Sequence, residues 1–166
     1  MGSFLYPDMY IDSILEVPLD YLKSQGIRAF IMDLDNTVTE WNSNYITPEV
    51  GQWFITINKL DIKACIISNN SEKRVLPVAG ALNIPYVYRA KKPRRTAFLR
   101  AMNILQTGPL HTAVIGDQIF TDIWGGNRAG AYTILVTPIA NKEFAGTKIS
   151  RCLETFILRK LTKYSP

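Results

Sequence analysis

The sequence has few of the residues that build disulfide frameworks and zinc sites. Its 166 residues include two cysteines, Cys65 and Cys152, and a single histidine, His111. The cysteines are far apart and form no CxxC pair, which argues against a zinc site and favours a reducing compartment. Cys65 lies in an apolar run, where we expect it to be a small buried hydrophobic residue.

Long hydrophobic runs are also missing. No stretch approaches the roughly 18 apolar residues that a membrane-spanning helix needs, and the first residues lack the basic region and apolar core of a signal peptide. We therefore expect a cytoplasmic protein, with peripheral contact to a membrane left open. The net charge of +5 favours anionic partners, although it does not choose between phosphates, nucleic acid and anionic lipid.

Five short apolar runs predict the strands of a parallel sheet. They are continuous rather than alternating, as strands buried on both faces are. The runs cover residues 29–34, 64–68, 85–88, 112–116 and 132–136, and helical patterns cover 48–60, 71–82, 93–105 and 119–129. Strands that alternate with helices predict a single α/β domain over residues 1–166. We expect a three-layer, doubly wound fold whose site lies at the carboxyl ends of the strands.

Polar residues follow four of these strands, at the edge where such folds bind ligands. The first strand leads to Asp33 and Asp35, the second to Ser68 and Asn69, the third to Lys91 and Lys92, and the fourth to Asp117 and Asp122. Each pair alone is typical of turns, helix caps or a solvated helix start. Four strand ends with complementary chemistry together indicate one catalytic site.

These residue types suit phosphoryl transfer, which needs positioning and cationic stabilisation of the phosphoryl oxygens. Asp33 and Asp117 can supply the carboxylates that Mg²⁺ prefers. Because Asp33 and Asp35 are two residues apart on an extended chain, their side chains leave the same side. One can hold metal and attack phosphorus, and the other can protonate the leaving group and then activate water. Ser68 and Lys92 can bind the phosphate.

The same segments resemble the four motifs of the haloacid dehalogenase superfamily. Residues 33–37 (DLDNT) are similar to its DxDxT motif, and residues 116–122 (GDQIFTD) to its GDxxxTD motif. The resemblance implies that Asp33 is the nucleophile and a metal ligand. It implies that Asp35 is the acid and base, with its backbone carbonyl a further metal ligand. The presence of Asp35 together with Thr37 resembles the phosphatases rather than the dehalogenases.

The other motif residues are assigned by the same resemblance. Asp117 is the third ligand of a Mg²⁺ cofactor, and Asp122 supports the metal site. The phosphate-binding residues are Ser68, Asn69 and Lys92. Lys92 is preferred to Lys91 because the related pattern has lysine directly before proline.

Further segments between residues 5 and 161 resemble the YqeG family, a class IIIA branch without a cap domain. This resemblance implies the strand order 5-4-1-2-3. The spacings 33–68 and 68–92 leave no room for a cap. An open site can admit a phosphate carried on a large body. Trp41 and Tyr45 could flank its entrance or pack in the core.

A more distant resemblance bears on the substrate. Similar proteins of mitochondria and plastids convert phosphatidylglycerophosphate to phosphatidylglycerol, and this resemblance implies a phospholipid substrate. Residues 148–163 have the pattern of a basic amphipathic helix, which could lie on an anionic membrane or pack on the sheet. The alternatives are a phosphatase for nucleic-acid ends, nucleotides or phosphoproteins, and a binding module that holds anions or partners without turnover.

Overall fold

Six parallel strands form the centre of the computed structural model, which describes residues 4–140, 157 and 161–163. The strands are β1 (Met9–Ile11), β2 (Ala29–Met32), β3 (Lys63–Ile67), β4 (Tyr86–Val87), β5 (Thr112–Gly116) and β6 (Tyr132–Val136). Their order across the sheet is β1-β6-β5-β2-β3-β4. The predicted order of the five expected strands is therefore confirmed. The sequence analysis missed β1, which pairs with β6 at the edge, with Met9 opposite Ile134.

Helices connect the strands where the sequence predicts them, and one further helix lies between β1 and β2. The helices are α1 (Leu19–Ser24), α2 (Pro48–Lys59), α3 (Glu72–Leu82), α4 (Arg95–Leu105) and α5 (Trp124–Ala129). The missed helix α1 is short, and a π-helical turn (Ile119–Ile123) precedes α5. At the start of α2, Thr47 accepts a hydrogen bond from the Val50 amide, and α5 ends at Gly130 with a φ of 81°.

The helices cover both faces of the sheet because successive strand residues point to opposite sides. On one face, Phe30 of β2 packs with Trp53 of α2, in a cluster that also contains residues of α1 and α3. On the other face, Ile31 packs in a second cluster with Phe98 of α4 and a residue of α5. The result is the predicted three-layer arrangement.

The central strands β2 and β5 position the candidate site. Met32 lies opposite Ile115, so both strands end at the same level of the sheet. The Asp33 amide extends this ladder by donating to the Ile115 carbonyl at 2.9 Å. Between Asp33 and Ser68 the chain forms one helix, and it forms no inserted cap domain.

The predicted amphipathic helix 148–163 lies almost entirely outside the described residues. Within the described part of the chain, no helix is long and apolar enough to cross a membrane.

Candidate active site

Three buried aspartates meet at the carboxyl edge of the sheet. Asp33 follows β2, Asp117 follows β5, and Asp122 lies in the π-helical turn. One carboxylate oxygen from each lies within 4.8 Å of the other two. The structure therefore brings together the three carboxylates that the sequence analysis assigned to a metal site.

Lys92 is buried in the same cluster. Its Nζ atom donates to Oδ1 of Asp33 and to Oδ1 of Asp122, at 2.6 Å in both cases. Burial alone would lower the pKa of Lys92, but the charges of Asp122 and Asp33 outweigh it and raise that pKa. Of the two lysines considered, Lys92 is the one in the cluster, because Lys91 is exposed.

The electrostatics of this cluster favour an additional cation. Burial, with a contribution from the charge of Asp122, raises the pKa of Asp33 to about 6, although Lys92 opposes this shift. A single lysine cannot neutralise three carboxylates in a region of low dielectric constant. A divalent ion with a preference for oxygen ligands would supply the missing charge, so the residues fit a metal of the magnesium type.

Asp35 lies in a separate hydrogen-bond network. Its Oδ1 atom accepts from the Arg74 guanidinium at 2.7 Å and from the Asn42 amide at 2.8 Å. Its Oδ2 atom accepts from Nδ2 of Asn70 at 2.7 Å. The two aspartates of the DxDxT segment therefore have different partners, with Asp33 in the buried cluster and Asp35 closer to solvent.

Arg74, in the first turns of α3, is the residue of this network that the sequence analysis missed. Its guanidinium contacts Thr39 Oγ1, the Ser43 carbonyl and Asn44 Oδ1, at 3.1, 2.8 and 3.0 Å. It therefore ties Asp35 to the following loop. No signal in the sequence distinguishes Arg74 from a solvated helical arginine.

Ser68 and Asn69 follow β3 beside the cluster. Ser68 is buried, and its Oγ accepts from the Asn70 amide at 3.1 Å. Asn69 contacts the main chain of Lys92 twice, accepting from its amide at 2.7 Å and donating to its carbonyl at 3.4 Å. Asn69 thus fixes the backbone that carries the buried lysine.

Gly116 and Thr37 shape the floor of the site. A Cβ atom at Gly116 would lie 2.3 Å from the Asp122 carboxylate carbon, so a side chain there would displace Asp122. Thr37 Oγ1 donates to Asp117 at 3.3 Å, and the Gln118 amide donates to Asp122 at 3.2 Å. These contacts hold the two carboxylates of the GDxxxTD segment.

The fold and the sequence are similar to those of known proteins. The family model described as HAD-hydrolase-like matches residues 89–144. The cobalt-bound form of deoxy-D-mannose-octulosonate 8-phosphate phosphatase from Haemophilus influenzae has the same fold, with a TM-score of 0.53 and 17% identity. That match covers 80% of this chain and 90% of the other. The fold and the motif residues together define a phosphatase of the haloacid dehalogenase class.

The sequence comparisons narrow the class to a family. The chain is 39% identical to "Probable phosphatase YqeG" of Bacillus subtilis, over 98% of its own length and 95% of that protein. The chain belongs to the YqeG family.

Two more distant relatives carry a more specific name. Phosphatidylglycerophosphate phosphatase 1 of Arabidopsis thaliana, chloroplastic and mitochondrial, is 25% identical over 97% of this chain, which spans 46% of that protein. The mitochondrial phosphatidylglycerophosphatase GEP4 of Saccharomyces cerevisiae is 28% identical, in a match that covers 81% of this chain and 78% of the yeast protein.

Proposed function

We propose that this phosphatase is Mg²⁺-dependent and hydrolyses phosphomonoesters through an aspartyl phosphate on Asp33. The observation that carries the proposal is the buried cluster in which Lys92 contacts Asp33 and Asp122 beside Asp117. Three carboxylates with one lysine form a site for both a divalent cation and a phosphoryl group.

The carboxylates of Asp33, Asp117 and Asp122 and the main-chain carbonyl of Asp35 would hold the metal ion. When bound, Mg²⁺ supplies positive charge that stabilises the charge on the transferring phosphoryl group. Lys92 adds a second positive charge and fixes the orientation of Asp33. Ser68 donates its hydroxyl to a phosphoryl oxygen, and Asn69 contributes by holding the main chain of Lys92.

The reaction has two displacements at phosphorus. In the first, an Asp33 oxygen bonds to phosphorus while the ester P–O bond breaks, and the Asp35 carboxyl group gives its proton to the leaving oxygen. In the second, the Asp35 carboxylate takes a proton from water, and the water oxygen attacks phosphorus. The bond between phosphorus and Asp33 then breaks, which releases inorganic phosphate and restores both aspartates.

Phosphatidylglycerophosphate is the substrate that we propose, with phosphatidylglycerol as the product. The names of the Arabidopsis and yeast relatives support this choice. The lack of an inserted cap between Asp33 and Lys92 also supports this substrate. A lipid head group stays anchored in the bilayer, and a lid over the site would keep it from the catalytic residues.

Phosphate release from an aryl phosphate tests the catalytic proposal. We expect activity with MgCl₂, none with excess EDTA, and loss of at least about 100-fold in Asp33→Asn. Asp61→Asn is the matched control, because Asp61 is an exposed aspartate outside the motifs. Folded wild type that releases no phosphate would support the binding module instead.

A substrate panel tests the lipid proposal separately. It contains phosphatidylglycerophosphate, nucleotides, phosphorylated nucleic-acid ends and phosphopeptides, each compared by kcat/KM. We expect the highest value for the lipid. Preference for a nucleotide, a nucleic-acid end or a phosphopeptide would reject the lipid proposal and leave the phosphatase.

A further inference from the structure

Two loops border the candidate site at the carboxyl edge of the sheet. We call residues 40–46 and 88–94 the mouth loops. The first is tied to Asp35, because the Asn42 amide donates to the Asp35 carboxylate at 2.8 Å. The second is tied to the same carboxylate through Asn70, whose carbonyl accepts from the Arg89 amide at 2.9 Å and whose side chain contacts Asp35 at 2.7 Å.

The first mouth loop presents two aromatic side chains to solvent. Trp41 is 39% exposed and Tyr45 is 68% exposed, so neither side chain is a core residue. Exposed aromatic residues beside a binding site indicate a contact surface. Trp and Tyr have an apolar ring with a polar tip, which suits them to the boundary between water and the head groups of a bilayer.

The second mouth loop presents positive charge. Arg89, Lys91 and Arg94 are all exposed, whereas the single acid in the two loops is the exposed Glu40. Arg89 and Lys91 have φ values of 46° and 57°, in a tight turn that follows β4. Clustered cations are attracted to a negatively charged surface within about a Debye length of it.

We propose that the mouth loops dock the site on an anionic bilayer. Trp41 and Tyr45 enter the interfacial region, while Arg89, Lys91 and Arg94 contact lipid phosphates. This arrangement turns the entrance beside Asp35 toward the membrane. The inference rests on the proposed lipid substrate and adds the surface that presents the site to it. A nucleic-acid duplex would need the cations but not the pair of exposed aromatic residues. Binding of a single strand, whose bases stack on aromatic rings, is an outcome that the test separates from membrane binding.

Vesicle co-sedimentation of the full chain tests this surface. We expect wild type to bind phosphatidylglycerol vesicles and to bind phosphatidylcholine vesicles far more weakly. The variant Trp41→Ala/Tyr45→Ala should bind on the order of tenfold more weakly. The matched control is Ile104→Ala/Leu110→Ala, which removes exposed apolar side chains near the opposite edge of the sheet and should bind like wild type.

A second variant and a fluorescence measurement separate the two loops. Arg89→Gln/Lys91→Gln should reduce binding to phosphatidylglycerol vesicles on the order of tenfold. The binding that remains should depend less on salt concentration than that of wild type, because two cations have been removed. In Trp124→Phe, the exposed Trp41 and the buried Trp53 are the remaining tryptophans. Its emission should shift to shorter wavelength when phosphatidylglycerol vesicles are added, because Trp41 leaves water.

Several outcomes would overturn the docking surface. They are wild type that does not bind phosphatidylglycerol vesicles, equal loss in the Ile104/Leu110 control, and unchanged binding in the Trp41/Tyr45 variant. Tighter binding to RNA or to a phosphopeptide than to vesicles would also overturn it. Vesicle binding is measured without turnover, so selective loss of binding in the mouth-loop variants supports the docking surface whether or not the lipid is hydrolysed. A chain that binds vesicles through the mouth loops but does not hydrolyse phosphatidylglycerophosphate would reject only the proposed substrate.

Discussion

Arg74 links the proposed acid and base to the mouth of the site through five hydrogen bonds, two to Asp35 and three to the loop that follows it. We predict that Arg74→Met lowers kcat for an aryl phosphate by about 10- to 100-fold with little change in KM, because a misplaced Asp35 affects proton transfer more than substrate binding. Arg74→Lys should recover part of the loss. Steady-state kinetics on the purified variants measures both.

The matched control for this prediction is Lys73→Met, which removes the neighbouring exposed cation of the same helix. It should behave like wild type. A rise in KM with unchanged kcat in Arg74→Met would contradict a positioning role, since it would mean that Arg74 binds the substrate directly. A large fall in the melting temperature of Arg74→Met would mean that the loss of activity comes from a destabilised fold rather than from a misplaced Asp35.

Cys65 allows a prediction about thiol reactivity. Burial raises the pKa of its thiol to about 12, against a small opposing effect of Arg100. In Cys152→Ser at pH 8, the native protein should therefore react with a disulfide reagent at least about 100-fold more slowly than the urea-unfolded protein. Equal rates in the two states would show that Cys65 is accessible in the folded chain.

The placement of the motif residues could be predicted because a parallel sheet brings its carboxyl ends to one edge, and the buried meeting of Asp33, Asp117 and Lys92 follows from that rule. The separate network of Asp35 could not be predicted in this way. It depends on how the loop after Asp35 packs against Arg74, and tertiary contacts between a loop and a helix leave no periodic pattern in the sequence.

Elements with continuous apolar sequence were predicted, and elements that depend on a neighbour were not. The strands β2, β3, β5 and β6 are nearly all apolar, so each is recognisable alone. β1 has three residues between the polar Asp8 and Asp12, and it is a strand because β6 offers an unpaired edge. The six-residue helix α1 is similarly too short to show a helical period.

The packing of α5 against α4 gives a prediction at the scale of elements. A Cβ atom at Gly125 would lie 2.2 Å from the Phe98 ring, so the two helices require a glycine there. We predict that Gly125→Ala lowers the free energy of unfolding by about 1–3 kcal/mol, because the helix or the ring must move. Urea unfolding followed by circular dichroism measures the change.

The control for α5 is Gly80→Ala in α3, where a Cβ atom meets nothing within 4 Å. Alanine there should be neutral or should raise the free energy of unfolding by up to about 1 kcal/mol, because it restricts the unfolded chain and favours a helix. Equal destabilisation by both substitutions would show that the loss of a glycine, rather than the contact with Phe98, is responsible.

Charge is distributed unevenly over the whole molecule. The chain has a net charge of +5, yet the candidate site concentrates three buried carboxylates around one lysine. Folding therefore buries negative charge, which is unfavourable unless a proton or a cation compensates. The stability of the fold should therefore depend on whether a proton or a cation is bound at the buried carboxylates. Melting temperature then reports that binding without a measurement of activity.

Protons and metal should compete for this cluster. Because burial raises the pKa of Asp33 from 3.8 to about 6, the folded state binds the proton more tightly than the unfolded state. Without metal, this residue therefore stabilises the fold increasingly as the pH falls through 6 toward 3.8, and that stabilisation is lost as the pH rises again. A divalent cation requires the ionised carboxylate, so its stabilising effect should run in the opposite direction.

We predict that MgCl₂ raises the melting temperature more at pH 7.5 than at pH 5.0. At 100 times Kd the gain at pH 7.5 should be about 2.7 kcal/mol, or roughly 5–10 °C for a domain of this size. Thermal unfolding in MgCl₂ and in EDTA measures the difference at each pH. Asp33→Asn should abolish most of it, while Asp61→Asn should retain it. An equal Mg²⁺ effect at both pH values, or an undiminished effect in Asp33→Asn, would mean that the ion binds elsewhere and that the buried aspartates do not hold it.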